Sequence, residues 1–229
     1  MKVAFIADPH GNLPALEAVL NEIGNLKIFC CGDLVGYNPF PNEVIEMLRN
    51  KKIPCILGNH DFVAAENDTS VFKRIELKEG FNPVAYKAIE WTQKNLKPEN
   101  LKFLKSLPLF YETKDFYMVH GSPRNPLEEY IFPHHPYMES FLEGIKQNLL
   151  VLGHTHQPMI KKFGEKTILN PGSVGQPRDG NPKASFAIYD TKTQEAEIKR
   201  VEYDIEKVAD KILESGLPQE LAMRLFHGR

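Results

Sequence analysis

The sequence predicts an α/β fold that opens with a parallel sheet, and three observations carry that reading. Short β-rich apolar runs at residues 3–7, 27–31 and 54–57 alternate with two stretches whose apolar residues recur at helical spacing. Strand–helix–strand crossovers are right-handed and lay their strands parallel. Each apolar run also ends in a polar or glycine step: Asp8-Pro9-His10, Gly32-Asp33, then Gly58-Asn59-His60-Asp61. In open α/β sheets ligands bind beyond the carboxyl ends of the strands. All three steps fall on that edge, so a site is expected there.

After the first strand the chain turns through Asp8-Pro9-His10-Gly11-Asn12. Asn12 is placed to cap the next helix, and Pro14 sits in its first turn, where a missing N–H costs nothing. Leu16, Val19, Leu20 and Ile23 form the apolar face of this helix, and Gly24 suits its end. Residues 41–50 give a second helix with Val44, Ile45 and Leu48 inward, and residues 54–57 a third strand. From 67 to 107 the pattern is helical. Asn82 and Pro83 open a helix with Val84, Ala88, Ile89, Trp91 and Leu96 on one face, and 98–107 form a shorter one. Trp91 reads as a packing residue.

Residues 109–112 and 116–119 form a hairpin around Lys114-Asp115, ending at His120-Gly121. Residues 125–137, rich in proline and aromatics, read as a loop rimming a pocket, with His134 and His135 exposed. Residues 137–146 read as helical. A strand at 149–152 delivers Gly153-His154-Thr155-His156. Hairpins follow at 159–163 with 166–169, closed by Asn170-Pro171-Gly172-Ser173, and at 184–189 with 195–203. Between them 176–182 is a polar loop. Two helices, 205–215 and 218–226, end the chain. No repeat and no Gly/Ser-rich linker divides it, so the sequence predicts one domain, 1–229.

Composition narrows the function. Of the 229 residues 42% are hydrophobic and 25% charged, and the net charge is −2. Tight nucleic-acid binding needs a basic stripe, and none is visible. A metal site can still supply positive charge locally for small phosphorylated molecules. Cys30, Cys31 and Cys55 lie in strand-like runs without CxxC spacing, which predicts buried thiols and neither a disulfide framework nor a zinc site. No apolar run approaches the ~20 residues of a membrane span, and the start of the chain does not read as a signal peptide. The expected compartment is the cytoplasm.

Singly, each polar step is a weak signal. In order, Asp-x-His, Gly-Asp, Gly-Asn-His-Asp, His-Gly and Gly-His-x-His, each after a strand, resemble the calcineurin-like metallophosphoesterases. The resemblance spans about residues 2–190, through the Asn170 turn. Within that superfamily the chain is similar to small prokaryotic phosphodiesterases related to diadenosine tetraphosphatases. The resemblance implies a four-layer α/β/β/α sandwich, two mixed sheets face to face with helices outside. It implies two divalent cations, the first on Asp8, His10 and His156, the second on Asn59, His120 and His154, with Asp33 bridging. Oxygen and imidazole donors without thiolate suit Mn, foremost for activity, and also Fe, Zn, Co or Ni. Paired metals of this kind activate a hydroxide and clamp the oxygens of a displacement at phosphorus.

The resemblance gives His60 the role of protonating the leaving oxygen, or stabilising its charge, with Asp61 orienting the ring and favouring the imidazolium. Proline at position 9, where relatives usually carry another residue, stiffens the Asp8–His10 loop. Arg178, in the 176–180 loop, is the candidate phosphate contact; Arg124, four residues past His120, is the other. Protein phosphatases of the superfamily carry arginines in Gly-Asp-x-x-Asp-Arg-Gly and Arg-Gly-Asn-His-Glu. This chain reads Gly32-Asp33-Leu34-Val35-Gly36-Tyr37-Asn38 and Ile56-Leu57-Gly58-Asn59-His60-Asp61, and lacks both. The expected activity is therefore a phosphodiesterase acting on a small phosphorylated or nucleotide substrate. The partner is that small phosphoester, with no membrane and no strong nucleic-acid signal, and a homo-oligomer is compatible. A non-catalytic scaffold, a phosphomonoesterase and a nuclease are the rival readings.

Overall fold

A computed structural model describes residues 1–66 and 83–229. Among them are nine strands: β1 (Lys2–Ile6), β2 (Lys27–Cys30), β3 (Phe110–Glu112), β4 (Phe116–Val119), β5 (Leu149–Val151), β6 (Met159–Phe163), β7 (Lys166–Asn170), β8 (Ala184–Asp190) and β9 (Glu195–Val201). Seven α-helices accompany them: α1 (Leu13–Ile23), α2 (Pro41–Asn50), α3 (Asn59–Glu66), α4 (Pro83–Asn95), α5 (Pro98–Lys105), α6 (Ile205–Glu214) and α7 (Gln219–His227). None is long and apolar enough to cross a membrane. The expected cap at Asn82 and the helical pattern at 67–82 lie outside the described residues.

The strands form two mixed sheets, ordered β2-β1-β8-β9 and β3-β4-β5-β7-β6. In the first, β1 pairs parallel with β2 and antiparallel with β8; in the second, β5 lies parallel between β4 and β7. Side-chain alternation along β1 explains how the layers join. Val3, Phe5 and Ala7 face the second sheet and meet Phe116, Met118, Leu149 and Val151. Phe5, Phe29 and Phe116 lock the sheets together, with Phe116 edge-on to the other two rings at 4.9 and 4.7 Å. Ala4 and Ile6 face the other way, onto Leu16, Val19 and Leu20 of α1 and Val44, Ile45 and Leu48 of α2.

The outer face of the second sheet presents Val119, Leu150, Leu152 and Ile168 to Ile131, Met138, Phe141 and Leu142. The helix expected over 137–146 contracts here to one 3₁₀ turn, Met138–Leu142. Its bonds run to the third residue back, as from Ser140 N to Tyr137 O, and Gly144 at φ +77° ends it. The third strand expected at 54–57 is likewise reduced to a single parallel bridge, Cys30 with Cys55. Pro54 has no N–H to give a ladder, and Leu57 N donates instead to Pro108 O at 2.8 Å. The expected cap forms: Ala15 N donates to Asn12 Oδ1 at 3.2 Å. All three cysteines are buried free thiols, and Trp91 packs as expected while its Nε1 donates to Ser215 O at 2.9 Å.

Candidate metal centre

The loops leaving the parallel strands carry unusual backbone. Asp8, His10, Asp33, His154 and His156 all have positive φ, between 44° and 68°. Left-handed backbone at a non-glycine residue costs ~1–3 kcal/mol and persists only where the surroundings over-determine it. Here they do. Asp8 N donates to Gly32 O, His10 N to Asp33 O and Gly11 N to Leu34 O, which laces the first loop to the second. Ser173 Oγ and Gly175 N both donate to Asp8 O, tying in the 170–175 turn. A Cβ on Gly58 would collide with the Asp33 carboxylate, so only glycine lets these two loops close.

This scaffold brings all seven predicted ligands together. Asp8, His10 and His156 form one grouping, Asp33, His120 and His154 a second, with ligand atoms in each within 4.8 Å of one another. Asn59 Oδ1 lies 3.0 Å from His120 Nε2, in the second grouping. Asp33 Oδ1 accepts from His60 N at the start of α3 at 2.8 Å. Its other oxygen, Oδ2, stands 3.6 Å from His10 Nε2 and 3.4 Å from His120 Nε2, between the two groupings. His60 also lies within such reach of His10 and Asp33, which sequence spacing did not suggest.

Do these residues fit cations? His10 Nδ1 meets Val35 O at 2.8 Å and His156 Nδ1 meets Gln176 O at 2.6 Å. A carbonyl only accepts, so each Nδ1 carries the proton and each Nε2 a lone pair. Those two Nε2 atoms face one another at 3.0 Å. Burial holds both rings well below the usual imidazole range, so both are neutral at pH 7 and two lone pairs oppose each other. Asp8 Oδ2 and His154 Nε2 are buried with no hydrogen-bond partner. In folded proteins most buried polar atoms are paired. Converging lone pairs, orphaned donor atoms and an all-oxygen-and-nitrogen donor set fit divalent cations.

The charges agree. Burial, reinforced by the Asp33 charge, pushes the Asp8 carboxyl up to about 8. Burial acts against a charged His120 too, but the Asp33 and Asp8 carboxylates outweigh it and carry that imidazole up to about 9. Burial likewise opposes ionisation of Asp33, yet His120, His60 and His10 hold it well below the usual carboxylate range. The cluster thus holds protons on Asp8 and His120, where a cation would fit.

The expected catalytic pair behaves differently. Both Asp61 oxygens accept backbone amides, Oδ1 from Val35 N at 3.1 Å and Oδ2 from Gly58 N at 3.2 Å. Asp61 therefore fixes the two ligand loops against each other. Burial lowers His60 to about 4, so the ring is neutral at pH 7 and not the expected imidazolium. Its Nδ1 side lies against Gly36, whose φ of +94° and missing side chain make the room.

Arg178 does reach the centre's rim. Its guanidinium donates to Tyr37 Oη at 3.0 Å and Gln176 Oε1 at 2.9 Å. Arg124 does not: it donates to Ser140 O at 2.7 Å and covers the Phe141 ring on the outer layer. His134 is exposed and His135 half-buried, edge-on to Phe141. Sequence reasoning missed Tyr37, whose ring packs 4.6 Å from both His10 and His60, and Tyr130, stacked on His154. Tyr37 had one signal, its place four residues past Asp33; Tyr130, in a loop, had none.

Two mixed sheets carrying a buried histidine–aspartate cluster at their strand ends define a metallophosphoesterase fold. The crystal structure of a metallophosphoesterase from Sphaerobacter thermophilus superposes with a TM-score of 0.86 at 36% identity, covering 100% of both chains. The chain belongs to the calcineurin-like phosphoesterase superfamily, whose domain matches residues 1–194. An uncharacterized protein of Methanocaldococcus jannaschii is 41% identical over 99% of this chain and 98% of its own. The phosphodiesterase YfcE of Escherichia coli is 28% identical over 83% of this chain and 88% of its own.

Proposed function

We propose that this chain is a phosphodiesterase with two divalent cations, acting as one domain, 1–229, on a small phosphorylated or nucleotide ester in the cytoplasm. The observation that carries the proposal is the facing pair His10 Nε2 and His156 Nε2, neutral, buried and 3.0 Å apart beside the unpartnered Asp8 Oδ2. Asp8, His10 and His156 would hold one cation and Asn59, His120 and His154 the other, with Asp33 shared. Manganese is the expected ion for activity. When bound, the pair supplies positive charge for a phosphate and lowers the pKa of water.

The chain's own groups do the rest. Arg178, aimed by Tyr37 and Gln176, orients a phosphate oxygen with its planar fork. His60, neutral and packed between Gly36, His10 and Tyr37, presents an N–H that stabilises the negative charge developing on the leaving oxygen as the ester bond breaks. Asp61 keeps the Asp33 and Asn59 loops in register while this happens. The closeness of a relative that is a phosphodiesterase supports the reading.

Chelation followed by separate additions of Mn²⁺, Co²⁺, Ni²⁺ and Zn²⁺ tests it. Turnover of a phosphodiester should vanish and return. No turnover with any ion, across monoesters, cyclic nucleotides and dinucleoside polyphosphates, would favour a scaffold.

A further inference from the structure

An aromatic ladder leads out of the centre. The Tyr130 ring is stacked on His154, centroids 3.6 Å apart and planes within 24°. Phe132 continues the ladder, 5.6 Å from Tyr130 and within 7° of parallel. Between them Ile131 points the other way and is buried in the outer core of the second sheet, which anchors the segment. The loop is fastened at its root as well. Gly121 N donates to Pro126 O at 2.7 Å, Ser122 N to Asn125 O at 3.0 Å, and Ser122 Oγ to the Glu129 carboxylate. Since Gly121 directly follows His120, the ladder keeps a fixed position relative to the cluster.

Its outer rung is not packed away. Phe132 is 46% exposed, although the apolar layer that takes Ile131 lies one residue away. Arg178 stands over the Tyr37 ring, close enough to feel the Tyr130 phenol. A guanidinium for a phosphate oxygen thus stands near an exposed ring face for whatever is esterified to that phosphate.

We propose that the exposed face of Phe132, with Tyr130 stacked behind it, forms a stacking subsite for a planar ring on the substrate, of which a nucleobase is the biological form. The subsite rests on the hydrolase reading above and names its substrate class, a nucleotide ester. A phenyl face offers no hydrogen bonds, so stacking recognises that a base is present and tolerates its identity. Adenine, guanine, cytosine and uracil esters bind with similar KM, and an alkyl ester binds more weakly.

The test uses metal-loaded protein and two probes, adenosine 5′-monophosphate and ribose 5-phosphate, which share the phosphate and sugar and differ in the base. By calorimetry the first should bind the wild type about 5- to 150-fold more tightly, the usual worth of one stacked base. Phe132→Ala, a surface change, should erase that ratio. In Phe132→Trp the ratio should persist, and the nucleotide should quench the added indole, with wild type correcting for Trp91. Equal affinities in the wild type, or a ratio that survives Phe132→Ala, would overturn the subsite. These are binding readouts, so their failure is distinct from failure of the hydrolase reading, which shows as absent turnover with the base preference intact.

Discussion

His10 Nε2 and His156 Nε2 stand 3.0 Å apart, each aimed at the other by a backbone carbonyl behind its ring. They come from loops 146 residues apart in sequence, and both sit on left-handed backbone held by neighbouring loops. Two neutral imidazoles with opposed lone pairs are a poor arrangement in themselves. Placed beside the unpartnered Asp8 Oδ2 they fit a cation, and a cation held there would account for the local strain.

His60 and Asp61 separate chemistry from architecture. His60→Ala should lower kcat by roughly 10²–10³, the usual worth of one hydrogen-bond donor placed at developing charge, while metal content by elemental analysis stays near wild type. A lost ion with normal turnover per remaining ion would mean that His60 is a ligand. In Asp61→Asn the new NH₂ confronts an amide N–H, either of Val35 or of Gly58. Denaturant unfolding should show a loss of ~1–3 kcal/mol, the cost of a buried unsatisfied donor.

Metal uptake should depend steeply on pH. Burial keeps a proton on Asp8 up to about 8, and the carboxylates, overcoming burial, keep one on His120 up to about 9. Both groups are raised, so both protons are held below those values and must leave when a cation arrives. Apparent Mn²⁺ affinity should therefore climb from about pH 6 and flatten above about 9, by roughly tenfold per unit for each proton released. Calorimetry in buffers of different ionisation enthalpy counts those protons. An affinity constant between pH 6 and 8 would refute the assignment.

The preferred ester follows from what the chain lacks. Without the two arginines that protein phosphatases place beside their metal motifs, a monoester dianion loses a bidentate clamp, and a diester with one charge needs it less. kcat/KM for an aryl phosphodiester should exceed that for the matching monoester. A monoester preference abolished by Arg178→Ala would show that the clamp had moved to the 176–180 loop.

How far was this legible beforehand? The strand–helix alternation and its period-2 faces were, because burial patterns along β1, α1 and α2 are written in the order of residues. The convergence of Asp8, His10, Asp33, Asn59, His120, His154 and His156 was, because each follows an extended run that ends at the same edge. Three things were not. The bridge at Cys55 depends on where Pro54 and Leu57 find partners, and the 3₁₀ turn at Met138 on a glycine six residues on. The role of Asp61 depends on two amides, at Val35 and Gly58, that only the closed loops bring to its oxygens. Tyr130 reaches His154 through the path of a proline-rich loop, which no periodicity encodes.

The central claim is that two cations sit astride Asp33. Anomalous diffraction from Mn²⁺-soaked crystals measures this directly. The account predicts two peaks per chain, one among Asp8, His10, Asp33 and His156, the other among Asp33, Asn59, His120 and His154. A single peak, or a peak held by His60 with His10 and Asp33, would contradict it.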